Sequence, residues 1–230
     1  MAAGRLSLAI DTATSVAVVA LGESSGALRR ELTWSAGYRH GEELLGRIVE
    51  LLAAEDLRRD ELGAIVVGTG PGAFTGLRIG LATAKTLAHE LGIPIVGIST
   101  AAALAHAAAA DLGADHIVVL LPAGPSGIVV TEVRGAAVAQ PRLVSGGADL
   151  ELDAAATVIA VDLDGRAAAD DLARGSGARE RLAESLLALG AARLEAGDAD
   201  DVARLVPEYV SLPRGVAAAS GEMAWSLDRP

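Results

Sequence analysis

Short apolar runs alternate with polar turns along the first part of the chain. Apolar residues dominate positions 5–10 and 15–21, and the polar tetrapeptide between them predicts a β-hairpin. A third run at 27–34 extends the hairpin into a three-stranded meander. From 40 to 55, aliphatic residues recur at helical spacing over a wide arc, which predicts a helix with more apolar surface than one sheet can cover.

Strands and helices then alternate. A continuous apolar run at 64–68 predicts a buried strand, and a glycine-rich turn leads from it into a helix over about 75–91. A strand at 95–98 follows, and then an alanine-rich helix that is capped by Ser99 or Thr100 and ends near Leu112. The resulting order, βββαβαβα, belongs to the α/β class.

The second half carries a weaker pattern. It predicts strands at 116–121, 128–133 and 157–161, a further strand candidate at 137–144, and a helix at 179–196 that Gly190 interrupts. The acidic stretch with Asp198, Asp200 and Asp201 is interpreted as a solvated loop. We therefore predict an N-terminal lobe (1–112), a C-terminal lobe (113–212) and a flexible tail (213–230).

Composition and charge narrow the possible functions. The 230 residues are 51% hydrophobic, enough for a sizeable core, and 19 basic against 30 acidic residues give a net charge of −11. Because such a chain repels phosphate backbones, we do not expect it to bind nucleic acid by itself. Without cysteine or a long apolar segment, we expect no disulfide, no signal peptide and no membrane span, and we predict a cytoplasmic protein.

Two loops carry residues suited to an anion. In the hairpin turn, Asp11, Thr12 and Thr14 either offer hydroxyl and N–H groups to phosphate and a carboxylate to a hydrated metal ion, or serve only as turn formers. The second loop opens the helix at 75–91, where an anion site and a packing role fit equally well, and it is not a Walker loop. Its candidate residues are Gly70, Gly72, Thr75 and Arg78.

Small residues recur at every fourth position of the helix at 75–91. They are Gly76, Gly80, Ala84 and Ala88. Together they form a smooth ridge that another helix can approach closely, either the helix at 40–55 or a helix of a partner chain. The surplus apolar surface on both helices favours the partner chain.

The residues offer no catalytic constellation. The four histidines lack H-E-x-x-H or H-x-x-x-H spacing, and no serine lies in a G-x-S-x-G turn. Glu42 and Glu43 suit the first turn of a helix, where carboxylates complement the helix dipole. We therefore predict no catalytic residue, no metal site and no cofactor.

Three motifs taken together resemble the TsaB (YeaZ) family. They are LAIDTAT at 8–14, RHGE at 39–42, and GPGAFTGLRIG at 70–80, where only Ala73 departs from the family's usual serine. The likeness covers about residues 5–112. Further on, 121–127 keeps almost nothing of the family's usual stretch, and the C-terminal proline-tyrosine motif survives only as VPEYV at 206–210.

The resemblance implies an actin-like, hexokinase-like (ASKHA) two-lobe fold with a reduced second lobe. It implies a noncatalytic subunit of tRNA threonylcarbamoyladenosine (position 37) synthesis that binds and stabilises TsaD. It further implies TsaE as a partner, a homodimer when the partner is absent, and tRNA contact only within the complex. The implied partner interface comprises His40, Glu42, Leu45, Val49, Gly76, Gly80, Ala84 and Ala88, and the implied vestigial nucleotide or anion loop comprises Asp11, Thr12, Thr14, Gly70, Gly72, Thr75 and Arg78.

An ATP-binding actin-like kinase or ATPase is the alternative function. In that case Asp11 would orient a metal ion and the loop at 70–78 would lie near phosphate. The chain of 230 residues is short for two complete lobes, which favours the noncatalytic subunit. A metallopeptidase is disfavoured because the histidines lack metal-binding spacing.

Overall fold

Sheet 1 forms the first lobe in this computed structural model, which describes residues 6–35, 40–145 and 152–210. Its strands are β1 (Leu6–Asp11), β2 (Val16–Gly22), β3 (Leu28–Ser35), β4 (Leu62–Gly70) and β5 (Ile95–Ser99). They lie in the order β3-β2-β1-β4-β5. Since β1 runs antiparallel to β2 and parallel to β4, a meander is followed by parallel strands, as predicted.

Sheet 2 repeats this arrangement in a shorter form. Its strands are β6 (His116–Ala123), β7 (Gly127–Arg134), β8 (Ala137–Val138), β9 (Arg142–Val144) and β10 (Thr157–Ala160). β7 lies antiparallel to β6 and pairs with both β8 and β9, while β10 lies parallel to β6. Within the described ranges, no strand of sheet 2 corresponds to β5. Two such sheets define an actin-like fold whose second lobe is reduced.

Helices cover both faces of sheet 1. They are α1 (His40–Ala53), α2 (Phe74–Leu91), α3 (Thr100–Leu112) and α5 (Leu182–Glu195), whereas α4 (Ala169–Glu180) packs against β10 of sheet 2. α1 and α2 bury Leu44, Ile48 and Leu81 against one face of the sheet. α3 and α5 pack on the opposite face, and α3 also contacts sheet 2, so that one continuous core joins the two lobes.

The end of the second lobe differs from the prediction. The helix at 179–196 is two helices, because α4 ends at Glu180 and α5 begins at Leu182. Gly190 does not interrupt α5, since it lies where a Cβ atom would come within 2.5 Å of the Val66 side chain, and the missing side chain lets α5 approach β4. The sequence does not predict α4, because this segment is polar and contains two glycines.

A C-terminal strap, residues 200–210, crosses the edge of sheet 1. Asp200 pairs with Ile95 of β5 and accepts a hydrogen bond from the Gly97 amide at 2.7 Å. Arg193 of α5 also reaches Asp200, at 3.1 Å. The prediction of a solvated acidic loop is therefore wrong for Asp200, whose carboxylate satisfies the open edge of β5.

Other predictions have mixed outcomes. The strand candidate at 137–144 is two short strands, β8 and β9. The tail predicted at 213–230 lies outside the described residues, and the lobe boundary at residue 112 stays a proposal. In the described part of the chain, no helix has the length and apolar character needed to cross a membrane.

Candidate functional site

A cleft of about 630 Å³ lies between the two lobes. The lining residues come from the β1–β2 turn, the loop before α2, the β6–β7 turn, the end of β10 and the strap. They are Ala13, Thr14, Ser15, Pro71, Gly72, Ala73, Phe74, Pro122, Ala123, Gly124, Val129, Asp162, Glu208, Tyr209 and Val210. Both loops that the sequence singled out therefore lie at one cavity, with a volume in the range of small-molecule sites.

Asp11 lies at the end of β1, just before the turn that lines the cleft, and is fully buried. Its carboxylate accepts hydrogen bonds from the Thr100 hydroxyl at 2.7 Å and from the Ala13 amide at 2.8 Å. Burial raises the pKa of Asp11 from 3.8 to about 6, although both hydrogen bonds oppose the rise. A Cβ atom on Gly68 would overlap the Asp11 carboxylate, so Gly68 makes room for this buried acid.

The β1–β2 turn uses its polar groups within the chain. The Thr12 hydroxyl donates to the Gly76 carbonyl at 2.8 Å, and the Thr14 hydroxyl donates to the Val16 carbonyl at the same distance. The amide of Ala13 is held by Asp11. These groups stabilise the turn itself and are not open to a phosphate, which agrees with the turn-forming alternative.

The loop before α2 is fixed against this turn. Gly70 has φ +100°, a value that favours glycine, and its amide donates to the Thr100 hydroxyl at 3.1 Å. A Cβ atom on Gly72 would lie 2.2 Å from the Ala13 carbonyl oxygen, and the Ala73 amide donates to that same oxygen at 2.8 Å. The glycines of this loop thus have a packing role, which allows the two loops to touch.

Asp162 joins the second lobe to the first across the cleft. It adopts φ +57° just after β10 and accepts hydrogen bonds from the Ser15 amide and hydroxyl at 2.6 and 2.5 Å. Arg179 of α4 pairs with the same carboxylate at 3.0 Å. The strained backbone and three donors make Asp162 a bridge between the lobes.

The strap supplies the remaining wall. Tyr209 stacks near Phe74 with 5.1 Å between ring centroids. Glu208 is half-buried and accepts a hydrogen bond from the Ser99 hydroxyl at 3.2 Å. Burial raises the pKa of the Glu208 carboxyl, and the hydrogen bond from Ser99 opposes the rise.

Basic side chains do not line the cleft. Among its described lining residues, Asp162 and Glu208 are charged and none is lysine or arginine. Thr75 and Arg78 lie exposed in the first turns of α2, and the Arg78 guanidinium stacks on the Phe74 ring at 5.2 Å. Arg166, near the β6–β7 turn, donates to the backbone carbonyls of that turn. Across the described ranges, no group of three His, Asp or Glu side chains is placed to hold a metal ion.

The small-residue ridge of α2 faces the interior of its own lobe. Gly76, Gly80, Ala84 and Ala88 are all buried, and a Cβ atom on Gly80 would lie 2.2 Å from the Thr12 hydroxyl. The prediction that these four residues meet a partner is therefore wrong. The ridge exists because α2 must approach the β1–β2 turn and sheet 1 closely.

The outer face of α1 has a different character. Leu45 and Val49, one helical turn apart, are 57% and 66% exposed. Arg47 and Glu50 form an ion pair beside them at 2.9 Å. Of the remaining interface candidates, His40 begins α1 and Glu42 lies in its first turn, but their side chains fall outside the part of the chain that the structure describes.

The fold and the cleft define an actin-like two-lobe protein that lacks open phosphate-binding groups in its β1–β2 turn. A family model, TsaD: tRNA N6-adenosine threonylcarbamoyltransferase, matches residues 35–220. The chain belongs to this family, within which it is of the TsaB (YeaZ) type.

Individual relatives agree with this assignment. The chain is 33% identical to a tRNA threonylcarbamoyladenosine biosynthesis protein TsaB of Haemophilus influenzae over 129 residues, 55% of this chain and 52% of the relative. It is 43% identical to an uncharacterised protein of Mycobacterium leprae over 95 residues, 40% of this chain and 26% of the relative. The chain thus spans about half or less of the length of these curated relatives.

A solved structure supports the fold over nearly the whole chain. YeaZ from Pseudomonas aeruginosa superimposes with a TM-score of 0.70 and 24% identity, covering 89% of this chain and 99% of that one. The second lobe is therefore shared in architecture, and the family model also extends across it, to residue 220.

Sequence reasoning missed several residues of the cleft. Thr100 was considered only as a helix cap, yet it links Asp11 to Gly70. Glu208 and Tyr209 belong to the reduced motif at 206–210, which predicts no wall of a cleft, and the sequence pattern assigns no role to Asp162. A sequence signal for the strap is the pair Glu208 and Tyr209, which directly follows Pro207.

Proposed function

We propose that this protein is a noncatalytic subunit of tRNA threonylcarbamoyladenosine synthesis that binds and stabilises a TsaD transferase. The observation that carries the proposal is the exposed aliphatic pair Leu45 and Val49 on α1. Two large apolar side chains one turn apart on a well-packed helix offer a contact for an apolar surface. The family membership supplies the identity of the partner.

The chemistry of the cleft supports a noncatalytic role. Asp11 is buried beneath the turn and held by two donors, so it does not reach a solvated metal ion. The hydroxyls of Thr12 and Thr14 donate hydrogen bonds to backbone carbonyls of the chain itself. An actin-like kinase needs these groups to face its nucleotide, so ATP-dependent catalysis is the less supported candidate.

The wider assembly belongs to the same proposal. We expect the α1 face to close a homodimer when TsaD is absent, and we expect TsaE and tRNA to be met within the complex. The net charge of −11 fits this division, since tRNA phosphates would be contacted by partner subunits. The same role places the protein in the cytoplasm.

A substitution on α1 tests the partner surface. We expect Val49→Arg to abolish co-purification of TsaD from the protein's own cells, because a charge in an apolar contact is left without a partner. Val206→Arg is the matched control, since Val206 is 65% exposed and Val49 is 66% exposed. Equal recovery of TsaD with both folded variants would contradict the proposed surface.

Calorimetry tests the alternative. The isolated protein should show no phosphoryl transfer and no tight binding on titration with Mg-ATP. Micromolar binding accompanied by transfer of the terminal phosphate would overturn the noncatalytic role.

A further inference from the structure

The interlobe cleft has the chemistry of a cation site. Its walls are mostly apolar, formed by alanine, proline and valine side chains together with the rings of Phe74 and Tyr209. Two carboxylates, Asp162 and Glu208, line the same cavity, while none of its described lining residues is basic. This combination disfavours an anionic ligand, although the cavity is large enough for a small molecule.

The two carboxylates are not equivalent. Asp162 is already compensated, because Arg179 pairs with it at 3.0 Å and Ser15 donates two hydrogen bonds. Among the described residues, the Glu208 side chain accepts a hydrogen bond from the Ser99 hydroxyl and forms no salt bridge. Glu208 is therefore the carboxylate of the cleft with which a bound cation can pair.

The N-terminus of α2 is the feature of the cleft that would favour an anion instead of a cation. A helix N-terminus carries roughly half a positive charge, and Ala73 caps α2 without a side-chain hydrogen bond. Arg78 lies nearby but stacks on Phe74. Glu208 lines the same cavity as Ala73 and Phe74 at this helix end, so its negative charge opposes the attraction of the helix end for an anion in the cavity.

We propose that the cleft binds a small organic cation with a flat apolar body, through an ion pair to Glu208 and ring contact with Tyr209. The carboxylate accepts the N–H groups of the cation, and the aromatic face contributes a cation–π contact. Phe74, Pro71 and Val129 then cover the apolar body of the ligand. This site is independent of the α1 surface, so either proposal can fail without the other.

Three isosteric probes test the choice of charge. Benzamidinium, benzamide and benzoate share one ring and differ in charge, and their binding is followed by the amide resonances of Gly72, Ala73 and Tyr209 in NMR titrations of the full chain. We expect benzamidinium to bind with a dissociation constant in the millimolar range and benzoate not to bind. Binding of benzoate or Mg-ATP at the same or lower concentration would overturn the proposal, as would no response to benzamidinium.

A matched pair of variants tests the carboxylate. Glu208→Gln keeps the shape and removes the charge, and we expect it to weaken benzamidinium about tenfold. Glu195→Gln, an exposed carboxylate at the end of α5, should leave the affinity unchanged. Tyr209→Ala gives a second variant that weakens binding without touching the charge. Unchanged affinity in both Glu208→Gln and Tyr209→Ala would place the cation elsewhere and refute the site.

Discussion

Single residues at the cleft show how polar groups typical of a nucleotide site can hold a fold together. Asp11 is fully buried and binds Thr100 and Ala13 instead of a ligand. The Thr100 hydroxyl also accepts a hydrogen bond from the Gly70 amide, so this one hydroxyl connects the ends of β1 and β4. A buried network of this kind is stabilising when each member is satisfied, and it specifies one arrangement of the loops.

Asp11 makes stability depend on pH. Its pKa is raised from 3.8 to about 6 in the folded chain, so between these values the folded state holds a proton that the unfolded state has lost. The contribution is fully present below about pH 4 and is lost as the pH rises through about 6, on the order of 3 kcal/mol in total. Urea denaturation of wild type and Asp11→Asn on both sides of this window measures it.

The expected result is a difference between the two proteins. Wild type loses stability relative to Asp11→Asn as the pH rises, because the variant has no proton to release at this position. Asp115→Asn serves as the control, since Asp115 is exposed. Parallel pH profiles for wild type and Asp11→Asn would show that the buried carboxyl does not titrate in this range.

At the scale of elements, glycines lie where helices approach strands closely, because a Cβ atom at these positions would overlap the strand. α4 contacts β10 through Gly175, where a Cβ atom would lie 1.9 Å from the Ala160 carbonyl oxygen. Gly177, two residues later in α4, has open space at the same position. The two glycines therefore have different reasons to be present in one helix.

This difference predicts opposite effects of alanine. Gly175→Ala should destabilise the protein by about 1–3 kcal/mol, because the backbone of β10 must move away. Gly177→Ala should be neutral or stabilise by up to about 1 kcal/mol through helix propensity. Free energies of unfolding from urea titrations compare the two, and equal changes would contradict the contact between α4 and β10.

The same elements show what could be predicted from the sequence. The meander, α1 and α2 followed from apolar periodicity and clear turns, because their faces are fixed by burial against one sheet, and α3 followed from its cap and its alanine-rich sequence. α4 could not be predicted, since its place depends on a contact with β10 and not on its own polar sequence. The ridge of α2 was recognised, but periodicity alone cannot distinguish an intramolecular neighbour, here the Thr12 turn, from a partner chain.

The candidate site was likewise predictable from the sequence only in part. Motifs placed Asp11, Gly70 and Gly72 at one location, which the structure supports as a packed pair of loops. The other wall depends on contacts between residues far apart in the chain, Ser15 with Asp162 and Ser99 with Glu208, that no local pattern encodes.

At the scale of the whole molecule, Asp162 bridges the two lobes across the cleft, in addition to the continuous core that joins them. Its carboxylate accepts a hydrogen bond from the Ser15 amide of the first lobe and forms an ion pair with Arg179 of the second lobe. Hydrogen bonds to a charged group contribute about 1.5–3 kcal/mol each. The bridge therefore adds one local contact between the walls of the cleft.

Asp162→Ala should loosen this link. We expect the Ser15 amide to exchange with solvent about ten- to a hundredfold faster by hydrogen-exchange NMR, because its charged acceptor is removed. Amides of β1 and β4 should keep their protection. Asp164→Ala, an exposed neighbour in the same turn, is the control. An unchanged Ser15 exchange rate in Asp162→Ala would show that the bridge does not hold the lobes together.

The strap also has a consequence for how the chain is made. The edge of β5 is closed by Asp200, and one face of sheet 1 is covered by α5, so two coverings of the first lobe are encoded after the whole second lobe. A ribosome synthesises the strands of sheet 1 long before it synthesises these coverings. The first lobe therefore waits, with the edge of β5 unpaired and part of one apolar face uncovered, until the second lobe has been synthesised, and we expect the need for a chaperone to be greatest in this interval.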